Sequence, residues 1–283
     1  MLCDDMDAEQ TLNNTRIEER HWWFAARRKI VRDVLRDLVP ASKDALIIDI
    51  GCGTGGNSGA LSDEYRCVGI DSSKEAVDFA TTRHPHAHFI RGEVPRDLGP
   101  LVREARAFFL MDVLEHVADD FQLFSRIAAE ASPGAIFVIT TPAHESLWSA
   151  HDVASKHYRR YSEDRLKRLW SGLPITQLLF SPYNARLLPV VRVARSLNNA
   201  LGRTSGDAGT DMRVPSAPLN SVLRAVFAGE STFLRRSLRD GGGPAFPDGV
   251  SYFAVLRRER GELAPRTKPR DVASDLHDPN RSA

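Results

Sequence analysis

The sequence predicts an α/β protein built on a mostly parallel sheet with helices on both faces. Five short apolar runs have the length of strands, near 45–50, 66–70, 87–90, 106–110 and 135–140. Stretches with helical periodicity separate these runs, and a glycine-rich segment directly follows the first one. Strands that alternate with helices in this way are typical of parallel sheets whose two faces are both covered.

The first half of the chain can be assigned element by element. Residues 16–39 repeat apolar positions at helical spacing until Pro40, which predicts an N-terminal helix. Three further helices are predicted between the strands, near 55–62, 73–83 and 119–131. Strand and helix therefore take turns from residue 45 to residue 140.

The second half is less regular. A helix is predicted at 162–170, and two more strands at 175–181 and 250–257. The 68 residues between these strands contain two segments with helical periodicity, 184–201 and 219–240. We therefore predict an N-terminal extension, a main domain, an insertion within it and a disordered tail, with bounds 1–40, 41–257, 183–248 and 258–283.

Composition and charge narrow the class of protein. Hydrophobic residues make up 42% and charged residues 27%, and the formal net charge is +1. This balance is typical of a globular protein and supplies no global field that would attract nucleic acid. Three cysteines without metal or redox spacing, and a start with neither a signal peptide nor an apolar span, predict a cytoplasmic protein.

The glycine-rich segment has the context of a Rossmann-like cofactor site. Gly51, Gly53, Gly55 and Gly56 lie between a predicted strand and a predicted helix, and Asp71 ends the next strand. Glycines allow a tight turn and a close approach of the ligand. Asp71 is placed to accept hydrogen bonds from two ribose hydroxyls.

Asp49 bears on the identity of the cofactor. It lies two residues before Gly51, where its carboxylate would repel the pyrophosphate of a dinucleotide. The same charge favours a ligand that has no phosphate but carries a sulfonium and an α-amino group. We therefore predict S-adenosylmethionine rather than a nicotinamide dinucleotide.

Four successive segments resemble the motifs of class I S-adenosylmethionine-dependent methyltransferases. They begin at Asp49, Val68, Arg91 and Leu110, and the last reads Leu-Met-Asp-Val-Leu-Glu-His-Val. This last segment is similar to one found in quinone-biosynthesis O-methyltransferases. The resemblance implies a seven-stranded Rossmann-like sheet, mostly parallel, with the last strand antiparallel.

The resemblance also implies roles for individual residues. Gly51 and Gly53 would run beside the methionine moiety, and Asp71, followed by Ser72, would hold the ribose. Glu93 would take the adenine amino group, although the family more often has aspartate there. The Met111 backbone would meet the methionine ammonium.

Candidate catalytic residues follow strands four and five. His116 lies in the segment that borders the reaction centre, and an imidazole titrates near working pH. In the loop after strand five, His151 could orient or deprotonate the acceptor, and Arg159 or Arg160 would meet an anionic group on it. Tyr161 is also predicted to contact the acceptor. His151 and His157 would need a third ligand to bind a metal, and none stands at a convincing spacing, so no metal site is predicted.

Two regions outside the sheet are predicted to contact the acceptor. Trp23 in the N-terminal helix could close the cleft or could simply anchor the helix to the core. On a helical wheel, Glu230 falls within the apolar face of 219–240 and is predicted to point toward the acceptor pocket. A break at Gly229 would instead let Glu230 reach water.

The insertion is basic. Residues 182–240 contain nine arginines and four acidic residues, a local charge of +5. Such helices either cover a substrate pocket or rest on an anionic membrane surface through 184–240.

The sequence predicts transfer of a methyl group to a hydroxyl, or less readily an amine, of a small or lipid-linked acceptor. An NAD-dependent oxidoreductase and a non-catalytic membrane-surface module are the alternatives. The acceptor and the oligomeric state are left open.

Overall fold

The computed structural model describes residues 17–193 and 214–264. Seven strands form one sheet in the order β3-β2-β1-β4-β5-β7-β6. All neighbouring strands are parallel except β7, which runs antiparallel to β5 and β6. The strands are β1 (Leu46–Ile50), β2 (Arg66–Asp71), β3 (His88–Arg91), β4 (Ala107–Met111), β5 (Ile136–Pro142), β6 (Ile175–Tyr183) and β7 (Ser251–Arg258). The predicted fold class is confirmed.

Nine α-helices can be assigned completely within the described part of the chain. They are α1 (Trp22–Leu38), α2 (Gly56–Leu61), α3 (Lys74–Arg83), α4 (Leu101–Glu104), α5 (Asp120–Glu130), α6 (Ala150–Ala154), α7 (Glu163–Lys167), α8 (Ala217–Ala228) and α9 (Glu230–Arg239). Residues 188–193 are helical as well. Residues 184–187, which were predicted to start this helix, form a bend and a turn instead. The rest of the predicted helix, from residue 194, and the tail from residue 265 lie outside the described residues.

Apolar side chains fill the space on both faces of the sheet. All five residues of β1 and all five of β4 are buried, as expected for the central strands of a parallel sheet. On one face, Phe108 and Phe137 stack with ring centroids 5.1 Å apart and pack against Phe124 of α5. The other face is covered by α1, which buries Ile30 and Val34. The strand ends that carry functional residues therefore project from a rigid layer.

The insertion helices pack against α1. The Asn220 Oδ1 accepts a hydrogen bond from the Trp22 backbone, and the ring of Phe227 lies 6.0 Å from that of Trp22. Arg235 of α9 forms an ion pair with Asp37 at 2.5 Å. The break that separates α8 from α9 falls at Gly229.

Among the described residues, no helix has the length and apolar character needed to cross a membrane.

Candidate active site

The loop between β1 and α2 is shaped by its glycines. Gly51, Gly53 and Gly55 have positive φ angles of 62°, 53° and 81°, a left-handed conformation that residues with a side chain rarely adopt. A Cβ atom on Gly51 would lie 2.8 Å from Val113 Cγ2, whereas one on Gly53 would meet no atom within 4 Å. The loop thus packs tightly at Gly51 and leaves the backbone at Gly53 open.

Asp71, at the end of β2, fastens this loop to the neighbouring strand. Its Oδ2 accepts the Gly53 N–H at 2.8 Å, and its Oδ1 accepts the Ser73 N–H at 2.9 Å. Burial raises the pKa of Asp71. A carboxylate has about four lone-pair sites, so both oxygens retain room for a ribose hydroxyl. The ribose role of Asp71 stays a prediction.

Asp49 lies buried beneath the same loop. Its Oδ2 accepts the Ser58 hydroxyl at 2.9 Å, while its Oδ1 has no hydrogen-bond partner among the described residues. Burial raises the pKa of Asp49 to about 7, against the opposing effects of Ser58 and of the Arg27 charge. An unpartnered buried carboxylate oxygen is costly by itself and suits a cationic ligand.

A cavity of about 370 Å³ opens beside the glycine loop, between α1 and the ends of β4 and β5. Six residues predicted for the site line it: Trp23, Gly51, Gly53, Met111, His116 and His151. It is also lined by His157, which the sequence suggested only as a metal ligand, and by five residues that the sequence predictions omitted: Glu18, Arg27, Asn57, Asp112 and Glu115. Three predicted cofactor residues therefore share one cavity with three residues predicted for the acceptor or for catalysis, whereas Asp49, Gly55 and Asp71 do not line it.

Glu115, His116 and His157 form a cluster on the cavity wall. Glu115 is 1% exposed, and its Oε2 has no hydrogen-bond partner within the described part of the chain. Burial, followed by the charge of Asp112, raises the pKa of Glu115 well above its ordinary value. Burial, followed by the neighbouring His157, lowers the pKa of His116 to about 3. His116 is therefore a neutral imidazole at neutral pH.

The same cluster has the composition of a metal site. One potential ligand atom from each of Glu115, His116 and His157 lies within 4.8 Å of the others. The sequence predictions found no third ligand for the loop histidines because Glu115 and His116 are about forty residues away along the chain. Folding places them together.

Asp152 holds His157 in place. Its Oδ1 accepts a hydrogen bond from His157 Nδ1 at 2.9 Å, and Arg160 contacts both carboxylate oxygens at 2.9 Å. Burial acts to raise the pKa of Asp152, but the hydrogen bond from His157 and the charge of Arg160 lower it below its ordinary range. Because an ionised carboxylate only accepts, Nδ1 of His157 carries a proton, and Asp152 fixes the orientation of the ring.

Arg159 and Tyr161 were wrongly predicted to contact the acceptor. Arg159 is 1% exposed, and its guanidinium donates to the carbonyls of Leu114, Val117 and Ala118. The Tyr161 hydroxyl donates to Asp120 Oδ2 at 2.7 Å in the interior. Neither side chain lines the cavity. Both follow a loop that turns back into the core, which a linear pattern of polar residues does not reveal.

Glu230 also lies away from the cavity. The helix does break at Gly229, but Glu230 is fully buried and its carboxylate accepts the N–H groups of Asn184 and Arg186 at 2.7 and 2.9 Å. The predicted orientation toward the acceptor pocket is therefore wrong. No described residue of the insertion, and so no residue of α8 or α9, lines the cavity.

Glu93 and Ser72 lie outside the cavity lining as well. The Glu93 side chain is 48% exposed and lies 3.8 Å from Arg96. The adenine contact implied for Glu93 stays a prediction.

The cavity residues that were not predicted differ in how visible they are in the sequence. Asp112 and Glu115 stand in the same segment as Met111 and His116, so their neighbours indicated the right place. Glu18 and Arg27 lie in the N-terminal region, where nothing local shows which side chains turn toward the sheet.

Comparisons with known proteins agree with this geometry. Residues 22–174 match a family model described as a methyltransferase domain. A trans-aconitate 2-methyltransferase from Variovorax paradoxus is 31% identical over 111 residues, which are 37% of this chain and 41% of that relative. The match thus spans well under half of the relative's length.

Solved structures show the same fold. The plantazolicin methyltransferase BpumL, in complex with S-adenosylhomocysteine, superposes with a TM-score of 0.53 at 14% identity, covering 90% of this chain and 92% of its own. Geranyl diphosphate C-methyltransferase from Streptomyces coelicolor, solved with Mg²⁺, geranyl diphosphate and S-adenosyl-L-homocysteine, gives 0.51 at 15% identity, covering 81% and 78%. With more than half of its length matched by the family model, the chain belongs to the class I S-adenosylmethionine-dependent methyltransferases.

Proposed function

We propose that the protein transfers the methyl group of S-adenosylmethionine to a hydroxyl oxygen of a small acceptor. The observation that carries this proposal is the shared cavity, with the glycine loop on one wall and the cluster of Glu115, His116 and His157 on another. A nicotinamide-dependent oxidation has less support, because the family match favours methyl transfer.

The cofactor wall suits the methionine end of this methyl donor. Gly53 offers open backbone, and Met111 ends β4 beside it. Asn57 lines the cavity, and its buried Oδ1 has no partner among the described residues. Such an acceptor fits a ligand that brings N–H groups. When bound, S-adenosylmethionine supplies an electrophilic methyl group on a sulfonium.

The acceptor wall suits a hydroxyl. His116, whose pKa burial lowers to about 3, stays neutral and can accept a hydrogen bond that orients the hydroxyl, and His151 lies beside His157 in the same cavity. In the proposed reaction the hydroxyl proton passes to His151 and the oxygen lone pair forms the new bond to the methyl carbon. The carbon–sulfur bond breaks and a neutral thioether leaves. Alignment and exclusion of water supply most of the acceleration.

The test compares metabolites from cells that produce the wild-type protein with those from cells that produce Asp71→Ala. Mass spectrometry should find pairs that differ by one methyl group only in the wild-type cells. Mild alkali then separates the acceptor classes, since it hydrolyses a methyl ester and leaves a methyl ether intact. An alkali-stable product whose fragmentation places the new methyl group on oxygen supports the proposal, whereas a methyl group on nitrogen contradicts it. An alkali-labile product, or no such pair, contradicts it.

A lipid-linked acceptor with peripheral membrane contact extends this proposal. Val190 and Val193 are 61% and 59% exposed, and Val222 of α8 is 59% exposed. Arg192 and Arg224 lie beside them along the chain. Exposed apolar side chains next to arginines favour an anionic bilayer surface. Flotation with anionic and with neutral vesicles tests this, and equal recovery from both would contradict it.

A further inference from the structure

Glu115 is a buried acid of the cavity wall that keeps one oxygen available. It is 1% exposed and lines the cavity, and its Oε2 has no hydrogen-bond partner among the residues that the structure describes. Leaving a buried acceptor atom without a donor costs free energy, and buried polar atoms in native proteins are nearly always paired. The Oε2 atom therefore suits a ligand that brings a hydrogen-bond donor.

The backbone that carries Glu115 is fixed from behind. Glu115 lies in the short turn Leu114–His116 that follows β4. The Tyr158 N–H donates to the Glu115 carbonyl at 2.8 Å, and the buried Arg159 guanidinium donates to the Leu114 carbonyl at 3.1 Å. These bonds hold the turn in place, so that its carboxyl group is positioned before a ligand arrives.

The cations of the cavity are engaged with other partners. Among the described residues, two arginines line it. The Arg27 guanidinium donates to Asp112 Oδ2. Arg160 gives its Nε and one terminal nitrogen to Asp152, both at 2.9 Å, and its other terminal nitrogen to the Ala143 carbonyl at 3.2 Å. An anionic group on the acceptor would have to compete with these carboxylates.

The neighbours of Glu115 leave a negative charge on it uncompensated. Burial, followed by the charge of Asp112, raises the pKa of Glu115. His116, whose pKa burial lowers to about 3, brings no positive charge, and His157 directs a ring nitrogen to Asp152. Such surroundings favour a protonated carboxyl group. An ammonium group of a ligand would take the place of that proton and stabilise the carboxylate.

The histidines set how far such an ammonium lies from the reacting hydroxyl. The rings of His116 and His151 lie 4.6 and 6.0 Å from the ring of His157. One polar atom of Glu115 lies within 4.8 Å of a ring nitrogen of His116 and of His157. A hydroxyl at the histidines and an ammonium at Glu115 are therefore close together on the acceptor.

We propose that the acceptor carries a protonated amine near the hydroxyl that is methylated, and that the Glu115 carboxylate binds this amine. Glu115 then determines specificity for amino alcohols and amino sugars over neutral or acidic alcohols. This inference rests on the proposed function, because it names the substrate class of the same site.

The first test is the charge of the methylated product from wild-type cells. A cation exchanger should retain the product at pH 7, and acetic anhydride, which neutralises primary and secondary amines, should release it. An O-methylated product that is not retained would overturn this inference and leave the proposed function standing. A retained product with its new methyl group on nitrogen would do the reverse. If wild-type cells gave no product, both would fall.

The second test measures kinetics with the isolated acceptor. Glu115→Gln should raise the KM for the acceptor about 10- to 100-fold and change kcat less than about threefold, because it removes a charge-assisted hydrogen bond made by the bound acceptor. It should also narrow the preference of the wild-type enzyme for the free amine over its N-acetyl derivative, which a general loss of structure would not do. Glu130→Gln, at an exposed position, is the matched control and should change neither.

Three results of the second test would overturn the inference. One is a Glu115→Gln enzyme with unchanged KM and unchanged preference. Another is a loss of affinity for S-adenosylmethionine but not for S-adenosylhomocysteine, since the carboxylate would then serve the sulfonium. The third is activity that EDTA removes and Mn²⁺ restores, since the carboxylate would then belong to a metal ion.

Discussion

Two walls of the cavity are built in different ways. The proposed cofactor wall is the glycine loop, and the proposed acceptor wall is the cluster of Glu115, His116 and His157 with His151. The cofactor wall is mostly backbone from one short segment, where Gly53 donates to Asp71 and Gly51 donates to the Ile70 carbonyl. The acceptor wall is mostly side chains from distant segments, with Asp152 joining His157 to Arg160. One wall depends on local conformation, and the other on buried charges that meet only after folding.

The acceptor wall should be the more sensitive to loss of one charge. Asp152 is fully buried and accepts hydrogen bonds from His157 and Arg160, which line that wall. Asp152→Ala should lower the free energy of unfolding by about 3–5 kcal/mol, because it removes the carboxylate that pairs with the buried Arg160. Ser73→Ala, just after the end of β2, removes the side-chain cap of α3 and should cost about 1 kcal/mol. Urea denaturation measures both, and equal losses would refute the contrast.

The cavity histidines should affect turnover without affecting the cofactor wall. His116→Ala and His151→Ala should each lower the methyl-transfer rate about 100-fold or more and leave S-adenosylhomocysteine affinity unchanged. His144→Ala serves as the control, since His144 pairs with Asp248 away from the cavity. Full activity in both cavity variants would show that neither histidine takes part in activating the hydroxyl.

Asp71 tests the cofactor wall. Asp71→Ala should weaken S-adenosylhomocysteine binding by about 1.5–3 kcal/mol, because it removes acceptors for the ribose hydroxyls. It should weaken the binding of 5′-methylthioadenosine, which keeps the adenosine and the sulfur without the amino acid, by a similar amount, since both ligands carry the ribose. Asp78→Ala, at an exposed site of α3, should change neither affinity in calorimetric titrations. An unaffected Asp71→Ala variant would reject the assignment.

Glu230 should have the smallest effect and should act on stability alone. Glu230→Gln replaces one acceptor oxygen with a donor opposite the N–H of Asn184 or Arg186, which should cost about 1–2 kcal/mol of unfolding free energy. Glu130→Gln, at an exposed position, should cost almost nothing. If Glu230→Gln abolished turnover in a fully stable protein, that result would instead support contact between Glu230 and the methyl acceptor.

The comparison of the two walls also explains what the sequence could predict. The alternation of strands and helices placed all seven strands within one or two residues of their observed bounds. The glycine loop was recognisable because the residues that shape it are neighbours in the chain. Its conformation follows from short-range sterics.

The acceptor wall was predictable only in part. His116 and His151 line the cavity, but Arg159, from the same polar loop, holds the Leu114 carbonyl in the interior. The pattern of charged residues in that loop is the same for a solvated rim and for a buried network. Only the path of the chain decides which arginine turns inward, and that path depends on long-range packing.

The most direct test of the whole account is a crystal structure with S-adenosylhomocysteine. We expect the amino-acid end of the ligand to lie against Gly51 and Met111, with its sulfur directed toward the cluster of Glu115, His116 and His157. A ligand bound outside this cavity, or bound with its sulfur turned away from that cluster, would contradict it.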